Sequence, residues 1–173
     1  MALDYSTLKK VVNSNGPVAR ILILEVKGST PRGSGTEMYV WADGIHGTIG
    51  GGNLEFQAIK SARRLSETGK TDIQSYPLGP QLGQCCGGFV KIVTEYYDEK
   101  DVANLKDKNL NVRSISDKTE ASQPVKELVK KYSTGGISLD HTLSDGWLIE
   151  KVITEKASIW IWGAGHVGSA ILS

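Results

Sequence analysis

Cysteine, phenylalanine, methionine and histidine are scarce, at two, two, two and three in 173 residues, and proline occurs five times. The two cysteines are neighbours, Cys85 and Cys86. Adjacent cysteines make a poor structural disulfide because the ring between them is strained. They also lack the paired spacing of a zinc or iron–sulfur site, and His46, His141 and His166 are scattered, so no structural metal is expected. A charge excess is missing too: 20 Lys+Arg stand against 19 Asp+Glu, a formal charge of +1. Nucleic acids and anionic membranes draw affinity from clustered Lys and Arg, so neither is expected as a partner. Apolar runs such as Ile21–Leu24 and Ile159–Trp162 fall far short of the roughly 20 residues that cross a bilayer. The first ten residues, Met1 to Lys10, lack the basic start, apolar stretch and small-residue cleavage site of a secretory signal, so a cytoplasmic location is expected.

What is present reads as an α/β protein: a mixed β-sheet flanked by helices over residues 1–150, then, over 151–173, the truncated first strand and glycine turn of a Rossmann unit. Leu3, Leu8, Val11 and Val12 have roughly helical spacing, and Asn15-Gly16-Pro17 stops the pattern. Val18 to Val26 reads as a strand buried on both faces, with Arg20 and Glu25 near its ends. Thr36–Trp41 and Ile45–Ile49 flank Ala42-Asp43-Gly44, a hairpin signal. Leu54, Ala58, Ile59, Ala62 and Leu65 share one helix face, with Lys60, Arg63, Arg64 and Glu67 largely opposite, as in a helix lying on a sheet. Residues 71–78 and Phe89–Tyr97 read as strands. Between 98 and 150 only Val125–Tyr132 shows a helical pattern, and a strand is expected at Ser158–Trp162.

Glycine, with 20 residues, concentrates in loops that carry the functional signals. Gly163-Ala164-Gly165-His166-Val167-Gly168 fits the dinucleotide-binding G-x-G-x-x-G after a strand, where Gly163, Gly165 and Gly168 would allow the turn, the pyrophosphate approach and close helix packing. The second strand and acidic residue that complete such a site are not in the sequence. Gly50-Gly51-Gly52-Asn53 leads from a strand into a helix, where bare N–H groups and the helix dipole favour an anion. The same glycines could serve only a tight crossing, and Glu55 could be a first-turn carboxylate. Leu82-Gly83-Gln84-Cys85-Cys86-Gly87-Gly88 places thiols among backbone N–H groups, conditions that favour the thiolate and suit soft metals and sulfur transfer. One of the two cysteines could equally point inward as a small apolar residue. Arg32, in the loop Gly28-Ser29-Thr30-Pro31-Arg32-Gly33-Ser34-Gly35, is either a phosphate clamp or a solvated loop cation.

Taken in order, Gly28-Ser29-Thr30-Pro31-Arg32, the Ala42-Asp43-Gly44 turn, Gly47 to Glu55, Leu82 to Gly88 and the terminal Gly163 to Gly168 resemble the XdhC/CoxI family, the accessory factors that mature xanthine dehydrogenase and related molybdenum hydroxylases. The resemblance implies a cytoplasmic, more chaperone-like than enzymatic protein. It would bind molybdenum cofactor (molybdopterin) while a terminal oxygen on molybdenum is replaced by sulfur from a cysteine desulfurase, and pass it to the apo-hydroxylase. On that reading Cys85 or Cys86 presents sulfur to molybdenum, Gly50, Gly51, Gly52, Asn53 and Arg32 receive the phosphate or pterin edge, and Gln84 hydrogen-bonds the pterin. Family members continue into a C-terminal Rossmann domain, so NAD(P) binding is expected only in a longer parent.

Two other readings use parts of the same pattern. An NAD(P)-dependent oxidoreductase accounts for Gly163–Gly168 but leaves the two earlier glycine loops without a task. A non-catalytic scaffold docking the hydroxylase and the desulfurase treats those loops as turns. An apolar strand at Ser158–Trp162 without its own domain needs cover, which a homodimer would supply.

Overall fold

The computed structural model describes residues 2–65, 69, 71–79, 87–116, 118–136 and 140–154. In chain order its elements are β1 (Leu3–Asp4), α1 (Tyr5–Asn15), β2 (Val18–Lys27), β3 (Glu37–Val40), β4 (Ile45–Gly47), α2 (Gly52–Leu65), β5 (Asp72–Pro77), β6 (Phe89–Tyr97), α3 (Glu99–Leu105), β7 (Leu110–Ser114), α4 (Gln123–Ser133), β8 (His141–Ser144) and β9 (Trp147–Ile153). The α/β class expected from the sequence holds, with the strands divided between two sheets. One has five strands in the order β4-β3-β2-β6-β5, every pair antiparallel. In the other, β9 pairs antiparallel with β7 and β8 and parallel with β1.

Strand alternation explains the layering, because successive side chains leave a strand on opposite faces. In β2, Ala19, Ile21 and Ile23 join Met38, Val40, Val90 and Ile92 in a core closed by Leu54, Ala58 and Ala62 of α2. The intervening Leu22 and Leu24 pack with Val93, Ile115 and Leu148 between the two sheets. The outer face of the second sheet is covered by α4, through Val125, Tyr132 and Ile149. Helices α1 and α3 seal one end, where Leu8, Val11, Val12, Val102 and Leu105 meet Leu3, Val18, Tyr39, Tyr97 and Val152. The order of layers is therefore helix, sheet, sheet, helix.

Local chemistry sets the element ends. Leu3 does not open the first helix as its spacing suggests; it pairs with Val152, and Asp4 caps α1 by accepting the Thr7 N–H at 3.1 Å. Gly16, at φ +76°, ends α1 by donating to the Val12 carbonyl at 2.9 Å. Asp98 and Asp101 form a reciprocal capping box on α3. The expected hairpin at Ala42-Asp43-Gly44 joins β3 to β4. A second one at Asp145-Gly146, φ +48° and +78°, joins β8 to β9. The boundary expected at residue 150 falls inside β9, whose Val152 and Ile153 pair with Leu3 and Asp4, so the unit continues through Ile153. No described helix is long and apolar enough to cross a membrane.

Between the sheets the apolar layer is interrupted by charge. Arg20 is completely buried on the same face of β2 as Leu22. Its guanidinium holds Glu150 of β9 in a two-pronged pair, both contacts 2.9 Å, and Glu37 of β3 through Nε at 2.7 Å. Arg113 of β7 pairs with Glu95 of β6 and with Glu150, and the Tyr39 hydroxyl donates to Glu37 at 2.8 Å. Burial by itself would raise the Glu150 pKa, but the Arg20 and Arg113 charges outweigh it and hold the carboxyl down at about 2. Burial also pushes the Tyr39 and Tyr97 hydroxyls well above the ordinary tyrosine range.

Candidate functional site

Three glycine-rich segments far apart in sequence meet at one end of the five-stranded sheet. The first leaves β2 at Gly28, whose φ of +68° is accessible at little cost only to glycine. Ser29 then bridges to Gly87, parallel, just outside the regular strands. The contact is close enough to require glycine on the facing strand. A β-carbon on Gly88 would lie 2.1 Å from the Ser29 carbonyl oxygen and 2.9 Å from that of Lys27. On its other side the Gly88 carbonyl accepts the Leu78 N–H at 2.7 Å. Two residues beyond Ser29, Pro31 and Arg32 fold over Gly50: a β-carbon there would meet the Pro31 ring at 2.8 Å and Arg32 Cγ at 3.4 Å. The first loop is thus sandwiched between the second and third glycine motifs.

Its own hydrogen bonds hold the loop. Gly35 N–H donates to the Ile23 carbonyl at 2.8 Å, the Thr36 hydroxyl to Gly33 at 2.8 Å and the Thr30 hydroxyl to Arg32 at 3.0 Å. Ser34 Oγ donates to the Leu24 carbonyl at 2.7 Å, beside the register shift in β2, and lies 3.0 Å from His141 Nε2. With the serine proton committed to the carbonyl, the imidazole Nε2–H donates to Ser34 Oγ. That arrangement ties the loop to β8; it does not activate the hydroxyl as a nucleophile. Nothing in the spacing of Ser34 and His141 signals the contact, which exists only because β8 lies beside the end of β2.

The N–H groups at the start of α2 already face an acceptor from the chain itself. Glu55 Oε2 accepts the Ile49 N–H at 3.0 Å, the Gly51 N–H at 3.1 Å and the Thr48 hydroxyl, while Gly50 N–H donates to Thr48 Oγ1 at 3.1 Å. Partial desolvation would raise the Glu55 pKa, but these donors outweigh it and hold the carboxyl below its ordinary value. Glu55 is thus the first-turn carboxylate that the helix dipole favours. Replacing it with alanine is expected to cost about 1 kcal/mol, the usual loss on removing a helix cap, read as a lower urea midpoint. Because the folded pKa is depressed, the contribution is present above the unfolded value of 4.5 and fades as pH falls below it, so the two urea curves should converge in acid.

The remaining residues read from the sequence fall as follows. Arg32 is exposed on the loop over Gly50. Gly52 and Asn53 open α2, and Asn53 Oδ1 accepts the Gln57 amide at 3.3 Å. Gly51, at φ +74°, and Gly87, at φ +63°, each have open space where a side chain would stand. Gln84, Cys85 and Cys86, and likewise Gly163, Gly165 and Gly168, lie outside the described residues. Among the described residues no group of three His, Cys, Asp or Glu side chains is placed to hold a metal ion.

No curated protein sequence matches the chain significantly. The fold is similar to the crystal structure of a xanthine dehydrogenase from Bacillus halodurans, with a TM-score of 0.57 and 22% identity over 95% of this chain. At that identity the likeness concerns architecture, and the chain spans 46% of that protein's length. Residues 11–77 match the XdhC and CoxI family model, a span from within α1 to the end of β5 that holds both the Gly28–Gly35 loop and the Gly50–Gly52 turn packed against it. Through those residues, the chain is similar to the XdhC and CoxI family.

Proposed function

We propose that the chain is an accessory factor for xanthine dehydrogenase or a related molybdenum hydroxylase. It binds molybdenum cofactor as cargo, supports its sulfuration with a cysteine desulfurase as sulfur donor, and delivers it to the hydroxylase. The observation that carries this reading is the convergence of the Gly28–Gly35 loop on both Gly50 and the Gly87–Gly88 strand end. Chain order sets Cys86 directly before Gly87, so the thiols are covalently next to that junction.

The groups at the junction suit the parts of such a cargo. The exposed Arg32 guanidinium offers a fork of donors that matches phosphate oxygens. The bare Cα positions of Gly51 and Gly87 let a flat pterin approach the backbone without meeting a side chain, with Gly50, Gly52, Asn53 and Gln84 at its edge. With the Ile49 and Gly51 N–H groups engaged by Glu55, Arg32 rather than the helix start takes the phosphate charge. Cys85 or Cys86 presents sulfur to the metal, and soft thiolate suits that contact. Sulfur in place of a terminal oxygen is what the cargo contributes to the hydroxylase it enters.

Protein purified from cells that synthesise the cofactor is expected to carry molybdenum and pterin in equal amounts. The Cys85→Ala/Cys86→Ala variant should retain less than a tenth of both, and Arg32→Ala an intermediate amount. Negligible molybdenum and pterin in the unaltered chain, or equal loading of all three proteins, would refute the proposal.

A further inference from the structure

A cavity of about 280 Å³ lies between α1 and the β3–β4 hairpin, and no carboxylate is among the described residues that line it. On α1, Thr7, Lys10, Val11 and Ser14 share one helix face by their spacing of three and four. The hairpin contributes Trp41 and His46. His46 registers against Tyr39, with the two ring centres 6.2 Å apart, and strand alternation puts Trp41 on the face of Tyr39. A β-carbon on Gly44 would overlap the Trp41 indole, so the ring is held against the turn. The Thr7 hydroxyl is committed to Asp4 and the Asn15 side-chain amide to the Val11 carbonyl. Among the described residues, the side chains of Lys10, Ser14 and His46 have no hydrogen bond or ion pair.

We infer that this cavity binds a small phosphomonoester carried on a flat ring. Lys10 supplies a point charge for the phosphate, with the Ser14 hydroxyl and a His46 ring N–H as neighbouring donors. Donors from two separate elements match the several oxygens of a phosphate better than the two of a carboxylate. Val11, which is buried, and the half-buried Trp41 indole give the ring an apolar wall. The site lies toward the C-terminal end of α1, whose dipole by itself opposes an anion. That opposition is blunted, because the Val11 and Val12 carbonyls already accept from Asn15 Nδ2 and the Gly16 N–H, at 2.8 and 2.9 Å. The volume is at the lower limit for ligand pockets, which restricts the occupant to a small molecule. This inference is independent of the cofactor reading. Trp41 follows Val40, which pairs with Ala19 at the start of β2, whereas the glycine junction begins beyond the other end of that strand, at Gly28.

The test is a titration of the full chain with phenyl phosphate, followed by the Trp41 indole N–H resonance, which Trp41→Phe assigns. A saturable shift is expected. Inorganic phosphate, which lacks the ring, and benzoate, which lacks the third oxygen, should each bind about tenfold or more weakly. Lys10→Gln/His46→Gln should weaken phenyl phosphate binding by about tenfold or more, as the loss of a charge-assisted hydrogen bond does. Both side chains are exposed, and unchanged circular dichroism would verify that the variant folds. Lys9→Gln removes the same charge one residue away, from a side chain that lies over the Tyr5 ring and outside the cavity, and should leave binding unchanged. Cys85→Ala/Cys86→Ala should also bind as the unaltered chain does, which separates this site from cargo loading. Several outcomes would overturn the inference: no saturable shift, equal binding of inorganic phosphate or benzoate, undiminished binding by Lys10→Gln/His46→Gln, or a comparable loss in Lys9→Gln or in the cysteine variant.

Discussion

Arg20→Met is expected to destabilise the protein by about 3–5 kcal/mol, the usual cost of removing one partner from a buried ion pair. Methionine matches much of the side chain's volume, so the loss comes from charge. Glu150 is fully buried and loses its two-pronged partner, keeping only Arg113, and Glu37 loses its 2.7 Å contact, keeping the Tyr39 hydroxyl. Against the 5–15 kcal/mol typical of a domain this is a large share, enough to be obvious in a urea titration. The double variant Arg20→Met/Glu150→Leu should recover a substantial part, because it removes both charges and offers apolar contact to Leu22 and Leu148 nearby. A double variant less stable than Arg20→Met alone would contradict that account.

The same pair fixes the direction of the acid response. In the unaltered protein Glu150 is held at about pKa 2, against 4.5 when unfolded. Its contribution is full above the unfolded value and is lost as pH falls from about 4.5 toward 2. Without Arg20, burial is opposed only by Arg113 and the Glu150 pKa rises, so protonation in acid relieves the variant rather than harming it. The stability gap between Arg20→Met and the unaltered protein should therefore narrow between pH 7 and pH 3. A gap that widens would show that Glu150 does not depend on Arg20.

The first half of the chain was legible because its signals are local. β2 reads as a strand covered on both faces, the amphipathic spacing of Leu54, Ala58 and Ala62 marks α2, and β6 has the bounds its composition suggests. The second sheet was less legible. Its strands β7 and β8 are only five and four residues long and have no fully buried residues, so the alternation that marks a strand is weak. Yet Asp145-Gly146 is the same dipeptide signal as Asp43-Gly44, and it lies between β8 and the apolar start of β9; the local chemistry was present there. The charge network was visible only as an oddity, a lone arginine inside Val18–Leu24. Strand alternation places Arg20 on the face of Leu22, not of Ile21, but its partners come from β3, β6 and β9, which no local pattern brings together.

Gly88→Ala carries the second large effect, and it bears directly on the glycine junction. The added carbon would meet two backbone oxygens, those of Ser29 and Lys27, at 2.1 and 2.9 Å. Neither can rotate away as a side-chain tip could. Retreat of β6 is opposed on the other side by the Leu78 N–H, which donates to Gly88 at 2.7 Å, and by the β5–β6 ladder beyond. The strands must separate, and the cost is expected at or above the upper end of the ~1–3 kcal/mol typical of overpacking. Gly51→Ala is the control: its φ is +74° but nothing lies within 4 Å, so only the left-handed backbone resists, at about 1–2 kcal/mol. Gly88→Ala should therefore lower the melting temperature more than Gly51→Ala, speed amide exchange at Leu78, and, on the proposed function, reduce the molybdenum and pterin that the purified chain carries. Gly51→Ala should keep the Leu78 amide protected. If Gly88→Ala instead leaves that amide as protected as in the unaltered chain, the Ser29 and Gly88 backbones are not in close contact, and the junction that carries the proposed function is absent.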